Sequence, residues 1–244
     1  MAGSVGRNLW SFSLYPQAGE GGGSLSARRL AVPSGRAPNV ARAREEAARR
    51  ARAKIRRYGA ANRLNRLGTL TYRDEGCHDP RRLRADLAGF FRALRAGLGA
   101  GAFPYLWVPQ WHPGGHGLHA HFAVGRFVPR RLIERCWGQG FVHIKQLDGL
   151  PVGSGELAEA RLAARYLARY VSRDVESERR LAGLHRYEVA QGFQPEKILC
   201  YGVSAEDVIE RASGLMGAAP ERVWLSSSEG GWRGPPACWC AWAG

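Results

Sequence analysis

FPYLWVPQWHPGGHGLHAHFAV (residues 103–124) decides the fold. Two runs rich in aromatic and β-forming residues flank a Pro113-Gly114-Gly115 turn, the pattern of a β-hairpin. In the second run Leu118, Ala120, Phe122 and Val124 alternate with His119 and His121. A period of two puts the apolar set on one sheet face and both histidines on the other. A turn centred on Gly114-Gly115 sets residue 112 opposite 117 and residue 110 opposite 119. Gln110 then faces His119 across the ladder, within reach of it.

The rhythm extends on both sides of this hairpin. LGTLTY (67–72) is a short β-rich run. Asp79-Pro80 then opens a helix, with Asp79 as its cap and Pro80 at its first position. Leu83, Leu87, Phe90, Phe91, Leu94 and Leu98 mark its apolar face. After the hairpin, Pro129 opens a short helix to about Trp137, and GFVHIKQL (140–147) is another strand. A loop with Gly149, Pro151, Gly153 and Gly155 leads to a helix from Glu156 to Val175. The order β-α-β-β-α-β-α predicts an α+β fold. Its sheet is antiparallel with helices on one face, as in ferredoxin-like and RNA-recognition domains.

Four segments follow from this pattern. Residues 1–37 are rich in Gly, Ser and Pro without a period and are expected to lack regular structure. Residues 38–66 form a basic helical extension capped by Asn39. Arg42, Arg44, Arg49, Arg50, Arg52, Lys54, Arg56 and Arg57 go nearly all the way round it. A solvated helix and a DNA-backbone clamp both fit that distribution. Residues 67–200 are the core. Residues 201–244 hold a helix near 204–218 and a tail, GWRGPPACWCAWAG, whose place the sequence leaves open.

Composition narrows the function. The chain has 244 residues with 45% hydrophobic content, enough for one globular core with added segments or for two small domains. Lys and Arg number 36 against 21 Asp and Glu, a formal charge of +15 and a pI near 10.5. Such a balance suits a polyanion, either nucleic acid or an anionic membrane surface. No apolar run is long enough to span a membrane, and the N-terminus lacks a basic-then-apolar signal pattern. The 5 cysteines are scattered and form no C-x-x-C pair. Neither a zinc ribbon nor a disulfide framework is supported, and a reducing cytoplasm is the expected location.

Two constellations carry chemistry. His119 and His121 stand on one face of a strand and can converge on a divalent cation. Gln110 offers a third, oxygen ligand, with His112 nearer the turn as its competitor. The alternative is a set of hydrogen-bonded histidines with Gln110 as a partner. The second constellation is ARYLARYVSRD (164–174), where Tyr166 and Tyr170 lie one helical turn apart. Tyrosine is a poor nucleophile near neutral pH, since its pKa is about 10. It serves in phosphoryl transfer when a metal and cations polarise the phosphodiester. The alternative is a pair of packing aromatics.

TLTY (69–72), GLHAHF (117–122) and YLARYVSR (166–173) come in the order and spacing of three motifs of HUH replication initiators. The chain resembles the rolling-circle initiators of actinobacterial plasmids, phages and integrative elements over residues 60 to 200. YEVAQGFQP (187–195) is also similar to that group. The resemblance implies metal-dependent nicking and rejoining of single-stranded DNA through a 5′-phosphotyrosine. It implies that His119 and His121 hold Mg²⁺ or Mn²⁺, with Gln110 beside them where an acidic residue is common. Tyr170 matches the nucleophile and Tyr166 the second tyrosine. Arg173 stands where Lys is usual. It keeps its proton, so it positions DNA or offsets phosphate charge rather than acting as a base.

The expected partner is single-stranded or hairpin origin DNA. Arg56, Arg57, Arg165 and Arg169 would follow its backbone, while Tyr72, Trp107 or Trp111 stack on bases. No G-x-x-x-x-G-K-[ST] motif occurs, so unwinding falls to a host helicase and extension to a host polymerase. No small-molecule cofactor and no membrane are expected. Two rivals share features with this reading. One is an HUH transposase or relaxase, although relaxases place the tyrosine before the histidines. The other is a non-catalytic nucleic-acid-binding module of RNA-recognition type.

Overall fold

The structure, a computed structural model, describes residues 9–25, 39–151, 153–176 and 185–243, without the side chains of residues 172–176. In chain order the first elements are β1 (Trp10–Tyr15), β2 (Glu20–Leu25), α1 (Val40–Ala61), β3 (Arg66–Tyr72), α2 (Pro80–Gly97), β4 (Tyr105–Trp111) and β5 (Leu118–Val124). Then come α3 (Arg130–Trp137), β6 (Gly140–Lys145), α4 (Gly155–Glu176), β7 (Glu188–Val189), β8 (Ile198–Gly202), α5 (Ala205–Met216), β9 (Arg222–Leu225) and β10 (Ala237–Ala241). They divide into two compact units. One is Asn39–Gln194, and the other joins Met1–Pro38 to Pro195–Gly244.

The unit Asn39–Gln194 is built on an antiparallel sheet in the order β6-β3-β5-β4-β7. Its first four strands, with α2 and α3 as crossovers, have the split-βαβ order of ferredoxin-like domains. Helix α2 starts where Asp79 accepts a hydrogen bond from the Arg81 N–H at 2.8 Å, with Pro80 next to it. Its apolar face, with Leu132, Ile133 and Trp137 of α3, covers Leu70, Tyr72, Trp107, Leu118, Ala120, Phe122 and Val124. Phe90 meets Phe91, Phe122 and Trp137 edge-to-face. Each such pair contributes about 0.5–1.5 kcal/mol beyond its buried area.

The expectation of helices on one face fails for this sheet. Helices α1 and α4 pack on the opposite face, where Ala48, Ala51, Ile55, Tyr58, Ala163, Ala164, Leu167 and Val171 cover Leu67, Leu106, Val108 and Ala123. The cause is visible in the strands. Those four apolar residues share a face with the histidines, and that much apolar surface must be covered. Asn39 caps α1 by accepting from the Arg42 N–H at 2.9 Å. The arginines of α1 leave a stripe through Ala48, Ala51, Ile55 and Tyr58 that is buried. The helix is therefore part of the core rather than a solvated extension.

The second unit has an antiparallel sheet in the order β8-β1-β2-β10-β9. Helix α5 buries Val208 and Ala212 with Phe12, Leu14, Cys200, Cys238, Cys240 and Trp242. Residues 10–25 are thus a strand pair, contrary to the expected lack of structure, because they gain β8 and β10 as neighbours. The Trp-rich tail supplies β10. Burial pushes the Cys238 and Cys240 thiols up to about 11 and about 12, so both stay protonated. Nearly all of the positive excess falls in Asn39–Gln194.

Candidate active site

The alternation of β5 sends His119 and His121 to the face that α4 covers. The register is the one the hairpin turn dictates: Gln110 pairs with His119, and the His112 N–H donates to the Gly117 carbonyl at 2.8 Å. Gly117 has φ +78°, and a Cβ there would meet the Cys77 carbonyl oxygen at 2.4 Å. The Leu118 N–H donates to that same oxygen at 2.6 Å. The loop after β3 therefore pins the start of β5. On β3, Thr69 pairs with His121 and Thr71 with His119.

His119, His121 and Gln110 are buried and in mutual contact. His121 Nε2 lies 2.9 Å from Gln110 Oε1 and 3.1 Å from His119 Nε2. An amide oxygen only accepts, so His121 Nε2 carries the proton it shares with both neighbours. His119 Nε2 then presents a lone pair, and its proton sits on Nδ1. That atom is buried and has no hydrogen-bond partner among the described residues. On the other side of the His121 ring, Nδ1 lies 2.9 Å from Thr69 Oγ1. Burial, with His112 nearby, lowers the His119 pKa to about 4 and keeps the ring neutral.

This donor set fits a small divalent cation. Bonds of about 2.0–2.1 Å at right angles place adjacent ligand atoms about 3 Å apart, which is the spacing of these three atoms. Transfer of the His121 proton to Nδ1 would free Nε2 and let Nδ1–H donate to Thr69, the kind of support that orients a metal-bound imidazole. Among the described residues no three His, Cys, Asp or Glu side chains gather. The third donor here is an amide oxygen. His112 is exposed, and its Nδ1 accepts from the Gly114 N–H at 3.1 Å, so it braces the turn.

Helix α4 brings its two tyrosines to this cluster. The Tyr170 ring stacks on the His121 imidazole, with centroids 3.7 Å apart. The Tyr170 hydroxyl donates to the Tyr166 hydroxyl. Tyr170 is buried and Tyr166 only partly so. The Arg169 guanidinium lies 5.1 Å and Lys145 Nζ 5.5 Å from the Tyr166 ring centroid. Arg165 and Arg169 are exposed on α4, and Arg56 and Arg57 are half-buried on α1. Arg173 belongs to α4, but its side chain lies outside the described residues.

The expected base-stacking aromatics are in the wrong place for that role. Tyr72 and Trp107 are 2% exposed under α2 and α3, and the Tyr72 hydroxyl donates to Asp86 at 2.8 Å. Trp111 packs against the same core, on the face opposite Gln110. Strand parity explains all three, since 72, 107 and 111 share a side with Leu70 and Phe122. The residues missed by sequence reasoning are Thr69 and the β6 residues Phe141, His143 and Lys145. The same parity, carried through β3 into β6, is the signal that finds them.

Residues 65–175 match a family model of replication-associated proteins, the ORF2 group. The match starts at the entry to β3 and ends within α4, so it holds Thr69, Gln110, His119, His121, Tyr166 and Tyr170 together. It supports a replication-associated protein of initiator type that binds DNA. No curated protein and no solved structure shows significant similarity. Among the described residues no helix is long and apolar enough to cross a membrane.

Proposed function

We propose that this chain is a rolling-circle initiator that nicks and rejoins single-stranded origin DNA through a tyrosine. The observation that carries the reading is the contact between the His119–His121–Gln110 cluster and the tyrosine pair, through Tyr170 stacked on His121. Mg²⁺ or Mn²⁺ held by His119, His121 and Gln110 supplies Lewis-acid polarisation of the scissile phosphate. The remaining steps belong to the side chains. Stacking on His121 fixes the Tyr170 ring, so its hydroxyl is oriented before DNA arrives. Its oxygen attacks phosphorus in line, the bond to the 3′ oxygen breaks, and a 5′-phosphotyrosine and a 3′-OH result. The Tyr170 proton moves toward the Tyr166 hydroxyl and on to water, and water protonates the departing 3′ oxygen. Tyr166 then serves strand transfer or a second round of nicking.

Arg169 and Lys145, beside Tyr166, offset phosphate charge, and Arg173 positions the strand. A host helicase and a host polymerase are the implied partners, and the bacterial cytoplasm is the implied compartment. The rival reading as a non-catalytic RNA-recognition module needs exposed aromatics on the central strands. Tyr72 and Trp107 are buried instead. The test is incubation with Mn²⁺ and single-stranded candidate origin DNA, followed by a denaturing gel. A covalent adduct is expected, and His119→Ala or His121→Ala should abolish it while sparing much of the DNA affinity, which comes from Arg and Lys. An undiminished adduct in the folded double variant would overturn the metal assignment.

A further inference from the structure

Beside the histidine–tyrosine cluster runs a strip of sheet with an exposed aromatic on it. β6 is an edge strand paired only to β3 in this sheet. The register runs Phe141–Thr71–His119–Gln110 in one cross-strand row and His143–Thr69–His121 in the next. Phe141, His143 and Lys145 therefore stand on the same face as the metal-site histidines. Phe141 is 68% exposed and belongs to neither apolar core of this unit. His143 is exposed, and Thr69, Thr71 and Lys145 are half-buried.

An edge strand that presents an aromatic ring, an imidazole and an ammonium in succession is not built for apolar packing. Strands lie about 4.8 Å apart, so Phe141 stands about 10 Å from His119 along its row, a distance that a neighbouring nucleotide can bridge. Thr71, between them, is small enough to let a strand lie flat. Lys145, at the other end of β6, reaches the Tyr166 ring and joins the strip to the tyrosines.

We propose that this strip seats the single strand next to the scissile phosphate, with Phe141 as the stacking platform for a flanking base and Lys145 as a phosphate contact. The proposal rests on the histidine–tyrosine cluster being the nicking site. Phe141 takes the role that Tyr72 and Trp111, on the other face, do not fill. Stacking on a ring face is tolerant of base identity, so Phe141 contributes affinity and strand placement rather than sequence choice.

The experiment measures binding of a fluorescently labelled, mixed-sequence single-stranded oligonucleotide to the full chain in EDTA, by anisotropy. Phe141→Ala and Phe141→Leu should weaken binding roughly 5- to 100-fold, and Phe141→Trp should restore it. The side chain is exposed, so these variants should keep their fold, which circular dichroism checks. Wild-type affinity in Phe141→Ala or in Phe141→Leu would overturn the platform. A parallel adduct assay with Mn²⁺ separates the two readings. A wild-type adduct with no Phe141 effect removes the platform alone. A Phe141 effect without any adduct removes the nickase and leaves the strip as a DNA-binding site.

Discussion

The Tyr170 ring lies nearly parallel to the His121 imidazole, with 11° between the planes and 3.7 Å between the centroids. One ring thus bridges the proposed nucleophile and a proposed metal ligand. Tyr170→Phe keeps that stack and removes the hydroxyl. It should abolish the adduct while lowering stability by only about 1 kcal/mol, the net worth of one hydrogen bond. Tyr170→Ala opens a cavity beside His121 and should cost about 3–5 kcal/mol. Urea melts and a denaturing gel read both effects. Peptide mapping of a residual adduct in Tyr170→Phe to Tyr166 would reverse the two roles.

The third metal donor is open to a direct comparison. Gln110 Oε1 touches His121, whereas His112 braces its own turn. Gln110→Ala should raise the Mn²⁺ concentration for half-maximal cleavage by about tenfold or more. His112→Ala should shift it far less. Equal shifts would mean that the amide oxygen is not a ligand.

Legibility in the sequence follows the range of the interactions. The Pro113-Gly114-Gly115 turn fixes the β4–β5 register locally, so the Gln110–His119 pairing and the shared histidine face are readable. So is the start of α2, because Asp79-Pro80 acts within one turn. Tyr72 defeats a reading by residue type alone, because Leu70, two residues earlier, decides its face. The strands β1 and β2 are hidden for another reason. EGGGS (20–24) has the composition of a linker, yet Phe12 lies close over Gly21 and Gly23. The neighbours that order it, β8 and β10, lie at the far end of the sequence. The second helical layer is concealed because α1 looks uniformly basic, and only its alanine stripe reveals the buried side.

That layer makes its own prediction. A Cβ on Gly59 of α1 would sit 2.8 Å from the Ala164 Cβ of α4. Gly59→Val forces the helices apart and should cost about 1–3 kcal/mol. Because α4 carries both tyrosines, the adduct should also form more slowly under conditions where the variant remains folded. A denaturant midpoint and a single-turnover time course test the two parts. An unchanged midpoint would show that α1 and α4 have slack at this contact.

The salt dependence of DNA binding separates the arginines of α1 by their surroundings. Arg42 and Arg50 both pair with Glu46, at 3.4 and 3.7 Å, whereas Arg44 and Arg49 are exposed on the side away from the Ala48–Ala51–Ile55 stripe. A phosphate contact releases condensed counterions, and each one lost flattens the slope of log affinity against log salt by about 0.7 for a single strand. Arg44→Gln with Arg49→Gln should therefore flatten the slope by about 1.4 if both touch DNA. The fold should be untouched, because the buried stripe is intact. Arg42→Gln should change the slope less, since it also releases Glu46 from its pair. Anisotropy titrations across a salt series give the slopes. Identical slopes for wild type and the Arg44/Arg49 double variant would confine α1 to a packing role and leave DNA tracking to α4 and β6.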